Sequence, residues 1–352
     1  MQIERRYTVG FDSEWDVAAV RDALSGAQRV VLVSHTHADG DAVGSLTGMY
    51  WLCQRLPGAE GRQVTALLPD GVPDDLTWLP GADRVLCGKH DAARCAAVIG
   101  EADLIMGLDI SGFGRTDSLE GALRASKARK ILVDHHIGPD REAFDTVVSE
   151  PEASSTCEVV YWLMQSAFGD SAFSREAATS LYTGICTDTG TFCYSNDRES
   201  VYLATAELLR HGIDPMYINR AIKNVFTVPR MRFFGYAMAH RMTVYADRKV
   251  ALVALTAQEM RDYGVESDEL TGLINEVMKL KDVDCGILVR EDTGGASTVR
   301  LSLRSKELYD VNLLAGEMFG GGGHKRAAGA TSTVSLNETV AIVKQKLNLE
   351  DR

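Results

Sequence analysis

Residues 34–45 read SHTHADGDAVGS and hold His35, His37, Asp39 and Asp41 within seven positions. Carboxylates this close repel one another, so the crowding calls for a compensating cation. Three more places have the same character. Asp109 ends the run DLIMGLD, Asp134-His135-His136 ends KILVDHH, and Asp188 lies in the Gly- and Thr-rich GICTDTGTF. Mostly oxygen ligands with a minority of imidazoles suit Mn2+ or Mg2+, whereas zinc prefers cysteine and histidine. The set His35, Asp39, Asp41, Asp109, His135 and Asp188 is large enough for two ions. Asp109, at a strand end, is the acid best placed to be shared. Two such ions lower the pKa of a bound water and neutralise the charge of a phosphoryl group under in-line attack. Asp134 reads as the carboxylate that orients a histidine beside it, and His37 reads as structural. Any one of these aspartates alone would also serve as an N-cap. Four motifs at the ends of consecutive elements exceed what capping requires.

A second concentration is FGGGGHKRAAG, residues 319–329. Successive glycines expose backbone N–H groups and allow the positive φ angles of an anion-binding nest, here at Gly321, Gly322 and Gly323. His324 follows, suited to a phosphate or to stacking near a base, and then Lys325 and Arg326. Upstream, VRLSLRS sets Arg304 and Ser305 at a strand end, where the arginine offers a fork for phosphate. A flexible loop with a solvated basic tip is the plain alternative. The stretch does not fit G-x-x-x-x-G-K-[ST], so a nucleoside-triphosphate P-loop is not expected.

The elements that must position these groups follow from hydrophobic patterning. RVVLVSH (29–35), QVTALLP (63–69), DLIMGLD (103–109) and KILVDHH (130–136) are short apolar runs interleaved with helical stretches such as DAVGSLTGMYWLCQRL. Continuous apolar strands separated by helices predict a parallel sheet covered on both faces. Ligands of such sheets bind at the carboxyl ends of the strands, so the acidic clusters converge on one crevice. Helices are expected over 154–168 and 174–186, the latter ending just before Asp188. Between about 196 and 232 the chain reads as helical and connecting. Beyond it, KVALVALT, CGILVRE and TVRLSLRS read as strands, with VNLLAGEMF and NETVAIVKQKL as helices. The expected fold is α/β: a parallel-sheet domain over 1–195, a helical linker over 196–232 and a smaller α/β domain over 233–352.

Composition narrows the class. Of 352 residues, 45% are apolar and 24% charged, an ordinary globular mixture. Seven cysteines without a C-x-x-C pair argue against a disulfide framework and a structural zinc site. No run is long enough to span a bilayer and the first fifteen residues lack a signal-peptide core, so a cytoplasmic protein without a membrane partner is expected. The net charge of −12, without a basic run, excludes a long nucleic-acid partner. A phosphate-bearing ligand would be small and held by a few arginines and metal ions.

HTHADGD, the Asp109 strand end, DHH, GICTDTGTF and GGGGHKRAAG, in this order over nearly the whole chain, resemble the DHH–DHHA1 phosphoesterases. The resemblance is greatest to the NrnA-like branch, bacterial oligoribonucleases that also act on 3′-phosphoadenosine 5′-phosphate. It implies a DHH catalytic domain, a DHHA1 substrate domain, two Mn2+ (or Mg2+) ions and a homodimer. It gives His35, Asp39 and Asp109 to one ion and Asp41, Asp109, His135 and Asp188 to the other. His136 would contact the scissile phosphate or assist proton transfer, making it, with Asp109, the catalytic pair. Gly321, Gly322, Gly323, His324 and Arg304 would hold the nucleotide, with Arg115 of DISGFGR as a further phosphate contact. The family's first motif usually has proline where this chain has Ala38, which removes a stiffener but no ligand. The implied activity is hydrolysis of linear dinucleotides and very short RNA, with phosphatase action on 3′-phosphoadenosine 5′-phosphate. Cyclic di-AMP breakdown is the near alternative. A pyrophosphatase would carry a basic second-domain motif in place of the glycine–histidine stretch, and a non-catalytic nucleotide-binding regulator would be expected to have lost a ligand.

Overall fold

The computed structural model describes residues 15–193, 198–223, 226–266, 268–270, 272–293 and 298–350. The chain divides into two compact units, Met1–Val225 and Phe226–Arg352. In the first, β1 (Arg29–Val33), β2 (Gln63–Leu68), β3 (Leu86–Cys87), β4 (Leu104–Leu108), β5 (Arg129–Asp134) and β6 (Thr146–Ser149) form a sheet ordered β3-β2-β1-β4-β5-β6. Every pairing in it is parallel. The four long apolar runs of the sequence are β1, β2, β4 and β5. The two edge strands, β3 and β6, are too short to leave a pattern of their own.

Alternate residues of each strand point to opposite faces. Val30, Leu32, Leu104, Met106, Ile131 and Val133 join one buried cluster, while Val31, Val33, Ile105 and Leu132 join another. Helices cover both. α1 (Val17–Gly26), α2 (Gly40–Cys53), α5 (Thr156–Phe168) and α6 (Arg175–Asp188) supply Leu24, Leu46, Val160 and Leu181 to the first cluster. α3 (Ala92–Glu101) and α4 (Glu120–Ala125) supply Ile99 and Leu123 to the second. α7 (Glu199–Leu209) and α8 (Pro215–Lys223) complete the unit. The stretch expected as a linker thus holds α7 and α8 of the first unit and the start of a helix of the second. Residues 196, 197, 224 and 225 lie outside the described residues.

α2 and α6 run antiparallel in direct backbone contact. A Cβ on Gly44 would lie 2.7 Å from the Ser180 carbonyl oxygen, and one on Gly184 would lie 3.1 Å from the Asp41 Cα. These two glycines let the first turn of α2 meet the last turn of α6, which brings Asp41 to Asp188.

In the second unit, α9 (Val228–His240), α10 (Ala257–Tyr263), α11 (Leu273–Val277), α12 (Val311–Phe319) and α13 (Leu336–Leu347) pack with a mixed sheet. Its strands are β7 (Met242–Tyr245), β8 (Val250–Leu255), β9 (Cys285–Glu291), β10 (Val299–Ser305), β11 (Gly322–His324) and β12 (Ala327–Ser332), ordered β11-β12-β10-β9-β8-β7. Only β8 and β9 pair in parallel. The molecule is therefore α/β, with a parallel sheet in the first unit and a smaller α/β second unit. No helix among the described residues is long and apolar enough to cross a membrane.

The glycine stretch is not a free loop. Gly320 closes α12 in the left-handed conformation, φ 64°, and Gly322 and Gly323 enter β11, hairpinned onto β12. A Cβ on Gly321 would lie 2.2 Å from the Gly329 carbonyl oxygen, and one on Gly323 2.5 Å from that of Ala327. Close backbone approach requires Gly321 and Gly323, and positive φ angles occur at Gly320 and at Gly323, φ 148°.

Candidate metal centre

In the strand order of the first sheet, β1 and β4 are neighbours whose connections leave in opposite directions. The crevice beyond their carboxyl ends is where such folds bind ligands. His35 follows β1 and Asp109 follows β4. Asp109 has φ 62°, a left-handed conformation that aspartate tolerates better than most residues. Its backbone N–H donates to the Val133 carbonyl at 3.1 Å, tying it to β5, whose end carries His135 and His136.

Asp39 does cap α2, since its Oδ1 accepts from the N–H groups of Asp41 (3.1 Å) and Ala42 (3.0 Å). It also belongs to a cluster. Ligand atoms of His35, Asp39 and Asp109 lie within 4.8 Å of one another, and so do those of Asp41, His135 and Asp188. A third such group, Asp109, His135 and His136, connects the two. Asp109 spans them: Oδ2 is 3.3 Å from His35 Nε2, and Oδ1 is 3.7 Å from His135 Nε2.

The histidine tautomers decide what this cluster requires. His35 Nδ1 lies 2.7 Å from the Thr36 carbonyl, and His135 Nδ1 lies 3.3 Å from that of Ala153. A carbonyl only accepts, so each Nδ1 carries a proton and each ring turns its Nε2 towards carboxylates. Burial, helped by the Arg115 charge, holds the His35 pKa below its usual value, so the ring stays neutral. Its Nε2 is buried and makes no hydrogen bond. A lone pair facing a carboxylate oxygen across 3.3 Å is repulsive unless a metal ion or a proton lies between them. The residues present therefore fit metal ions well.

The carboxyl groups agree. Burial is the main cause that pushes Asp109 and Asp188 well above the usual carboxylate range, with Asp41 and Asp39 as charged neighbours of both; burial also raises Asp41. At an effective dielectric near 20, two like charges ~4 Å apart repel by roughly 4 kcal/mol. Asp188 ends α6, where the helix dipole also opposes a negative charge. The α5 N-terminus offsets part of this cost: the N–H groups of Thr156 (2.7 Å) and Cys157 (2.9 Å) donate to Asp41 Oδ2 and Oδ1.

His136 Nδ1 donates to Asp134 Oδ1 at 2.8 Å. Burial opposes the charged ring, but this bond and the Asp109 and Asp134 charges outweigh it, so the His136 pKa is raised. Burial alone would likewise raise Asp134, and His136 reverses it to a net lowering. Asp134 thus orients a histidine, as the sequence suggested. Arg115 Nη1 lies 3.4 Å from His136 Nε2 and 3.3 Å from the Asp109 carbonyl oxygen, so this arginine sits at the cluster.

His37 takes no part. Its ring is 92% exposed, and its N–H donates to both Asp70 oxygens, at 3.0 and 3.2 Å. The stiffness that Ala38 does not supply comes from this Asp70 clamp and from the Thr36 N–H bond to the Arg115 carbonyl, 3.0 Å.

In the second unit, Arg304 pairs with Ala327 across β10 and β12, one residue beyond the two-residue hairpin tip Lys325-Arg326. Ser305 does not join it. Successive strand residues face opposite ways, and the buried Ser305 hydroxyl donates to Asp284 Oδ2 at 3.1 Å. The side chain of His324 lies outside the described residues. One group at the centre was not singled out from sequence. The Thr156 hydroxyl donates to Asp109 Oδ1 at 2.9 Å, and its only signal was a second hydroxyl beside the Ser155 that caps α5.

A parallel sheet whose switch point gathers histidines and carboxylates that could hold metal suits a metal-dependent hydrolase. Residues 29–185 match the DHH family, N-terminal domain, and residues 248–349 the DHHA1 domain. The chain belongs to the DHH–DHHA1 family of phosphoesterases, and is an enzyme of that class. It is 29% identical over 322 residues to the bifunctional oligoribonuclease and PAP phosphatase NrnA of Thermus thermophilus, covering 90% of this chain and 87% of that protein. A crystal structure of an exopolyphosphatase-related protein from Bacteroides fragilis is 34% identical, with a TM-score of 0.89 over 94% of this chain and 95% of that one. RecJ from Thermus thermophilus, crystallised in complex with Mn2+, shares the fold at a TM-score of 0.51 and 14% identity, over 96% of this chain and 55% of its own.

Proposed function

We propose that this enzyme hydrolyses short linear phosphodiesters, dinucleotides and very short RNA, and removes phosphate from 3′-phosphoadenosine 5′-phosphate, using two manganese or magnesium ions. The observation that carries the reading is Asp109, with one carboxylate oxygen 3.3 Å from His35 Nε2 and the other 3.7 Å from His135 Nε2. In this reading His35, Asp39 and Asp109 hold one ion, and Asp41, Asp109, His135 and Asp188 the other. The ions supply a water of lowered pKa and positive charge against the phosphoryl oxygens. Arg115 donates to a phosphoryl oxygen. His136, fixed by Asp134, either donates to the same group or hands a proton to the leaving oxygen. In the second unit, Arg304 and the backbone of Gly321, Gly322 and Gly323, with His324, bind the nucleotide's phosphate or base. The NrnA relative, similar over most of both chains, supports the substrate class, and the RecJ structure supports manganese. The net charge of −12 favours short substrates over long nucleic acid.

The test compares initial kcat/KM with Mn2+ for linear pApA, a five-nucleotide RNA, 3′-phosphoadenosine 5′-phosphate and cyclic di-AMP. The expected result is turnover of the first three, with pApA at least about tenfold above the cyclic compound. Dominant cleavage of cyclic di-AMP would overturn the linear assignment. Failure on all four would overturn the nucleotide assignment altogether.

A further inference from the structure

One residue ties together two carboxylates that come from distant parts of the sequence. Thr156, the first residue of α5, is fully buried. Its backbone N–H donates to Asp41 Oδ2 at 2.7 Å, and its hydroxyl to Asp109 Oδ1 at 2.9 Å. The helix does not need that hydroxyl. The N-cap is Ser155, whose Oγ accepts the Glu158 N–H at 3.1 Å. Threonine also gains nothing as a helix former at this position. A buried hydroxyl is costly unless bonded, and the bond recorded for this one is to Asp109.

The neighbours of Asp109 make the bond consequential. Oδ1 also lies 3.4 Å from His136 Nδ1, but that nitrogen is engaged by Asp134 at 2.8 Å. Oδ2 faces the bare Nε2 of His35, which offers no proton. Thr156 is thus the side chain that donates a hydrogen bond to this carboxylate.

We propose that Thr156 is a positioning residue: its hydroxyl locks the rotation of the Asp109 carboxylate so that Oδ1 faces the His135 group and Oδ2 faces His35. This rests on the two-ion reading of the site. The α5 backbone bonds to Asp41 are independent of the side chain, so the hydroxyl can be removed while they remain.

The test uses the full chain with Thr156→Val, which keeps the shape, and Thr156→Ser, which keeps the hydroxyl. Mn2+ affinity and stoichiometry are followed by calorimetry, the coupling between the two ions by electron paramagnetic resonance, and kcat and KM with pApA. Partners that orient metal ligands typically contribute about 10–100-fold to affinity or activity. Thr156→Val is expected to weaken one Mn2+ by about that factor, diminish the coupled-ion signal and lower kcat with KM within about threefold. Thr156→Ser is expected to restore all of these to near the wild-type values. Should Thr156→Val fail to fold, Thr156→Ala is judged on the same readings. A hydroxyl-free variant that folds and binds both ions as tightly as the wild type overturns the proposal, as does failure of Thr156→Ser to restore binding. The Mn2+ readings need no substrate, so a failure of the nucleotide assignment alone leaves them decisive.

Discussion

Asp109 concentrates the chemistry of the site in one side chain. Its backbone is left-handed, φ 62°, its carboxyl is buried among other acids, and its two oxygens look to different histidines. Asparagine keeps the shape, tolerates the same backbone and still accepts from Thr156, but it carries no charge. Asp109→Asn is therefore expected to fold normally by circular dichroism and to lose at least about a thousandfold in kcat with pApA. This is the scale expected when one member of a cooperating metal site is removed. Near-wild-type turnover in that variant would remove Asp109 from its shared role. At this scale the sequence was informative where a residue type has few other uses: His35, Asp39, Asp41, Asp109, His135 and Asp188 were all readable as one set. Thr156 was not, because a hydroxyl beside an N-cap reads as the start of a helix. Ser305 misled, because its place next to Arg304 in sequence puts it on the opposite face of β10, bonded to Asp284.

Among the elements, α10 is held to α9 and to the start of β7 by one acid. Glu259 Oε1 accepts from Tyr236 Oη at 2.6 Å and lies against Arg241, and Oε2 accepts from the Thr256 N–H at 2.9 Å within a capping box. Burial alone would raise its pKa. Tyr236, Thr256 and Arg241 more than reverse this and bring it down to about 2. A lowered folded-state pKa means stability that is present above the unfolded value near 4.5 and lost as the pH falls through about 2. Glu259→Gln should thus lower protection of α9 and α10 at pH 7 by about 1 kcal/mol, since solvent screens the pairing with the exposed Arg241, read by hydrogen exchange in the full chain. The gap between variant and wild type should close as the pH falls from 4.5 towards 2. An unchanged gap over that range would show that Glu259 acts through packing instead of charge. Element type was legible wherever the apolar period was long, as in β1, β4, β5, α5 and α6. The two-residue β3 and the four-residue β6 were not. The glycine stretch was read for its conformational freedom, which Gly320 and Gly323 use, but the missing side chains of Gly321 and Gly323 also let it lie against β12. That close approach depends on a partner strand and leaves no local signature.

For the molecule as a whole, two units with separate buried cores were foreseeable from the change of character in the last third of the chain. The strand order β3-β2-β1-β4-β5-β6 was not, since it depends on which strands pair across long connections. Convergence of His35, Asp109 and His135 needed only the parallel sheet, because its strands end on one side, whereas Asp188 arrives through the packing of α6 on α2. A chain of net charge −12 that packs five aspartates around three histidines in one crevice is incomplete in electrostatic terms until cations join it. The most direct measurement is calorimetric titration of the metal-free enzyme with Mn2+, counting ions bound per chain. Two ions per chain are predicted, with the count falling in Asp109→Asn. One ion per chain in an enzyme that still turns over pApA would contradict the shared-carboxylate site on which the account rests.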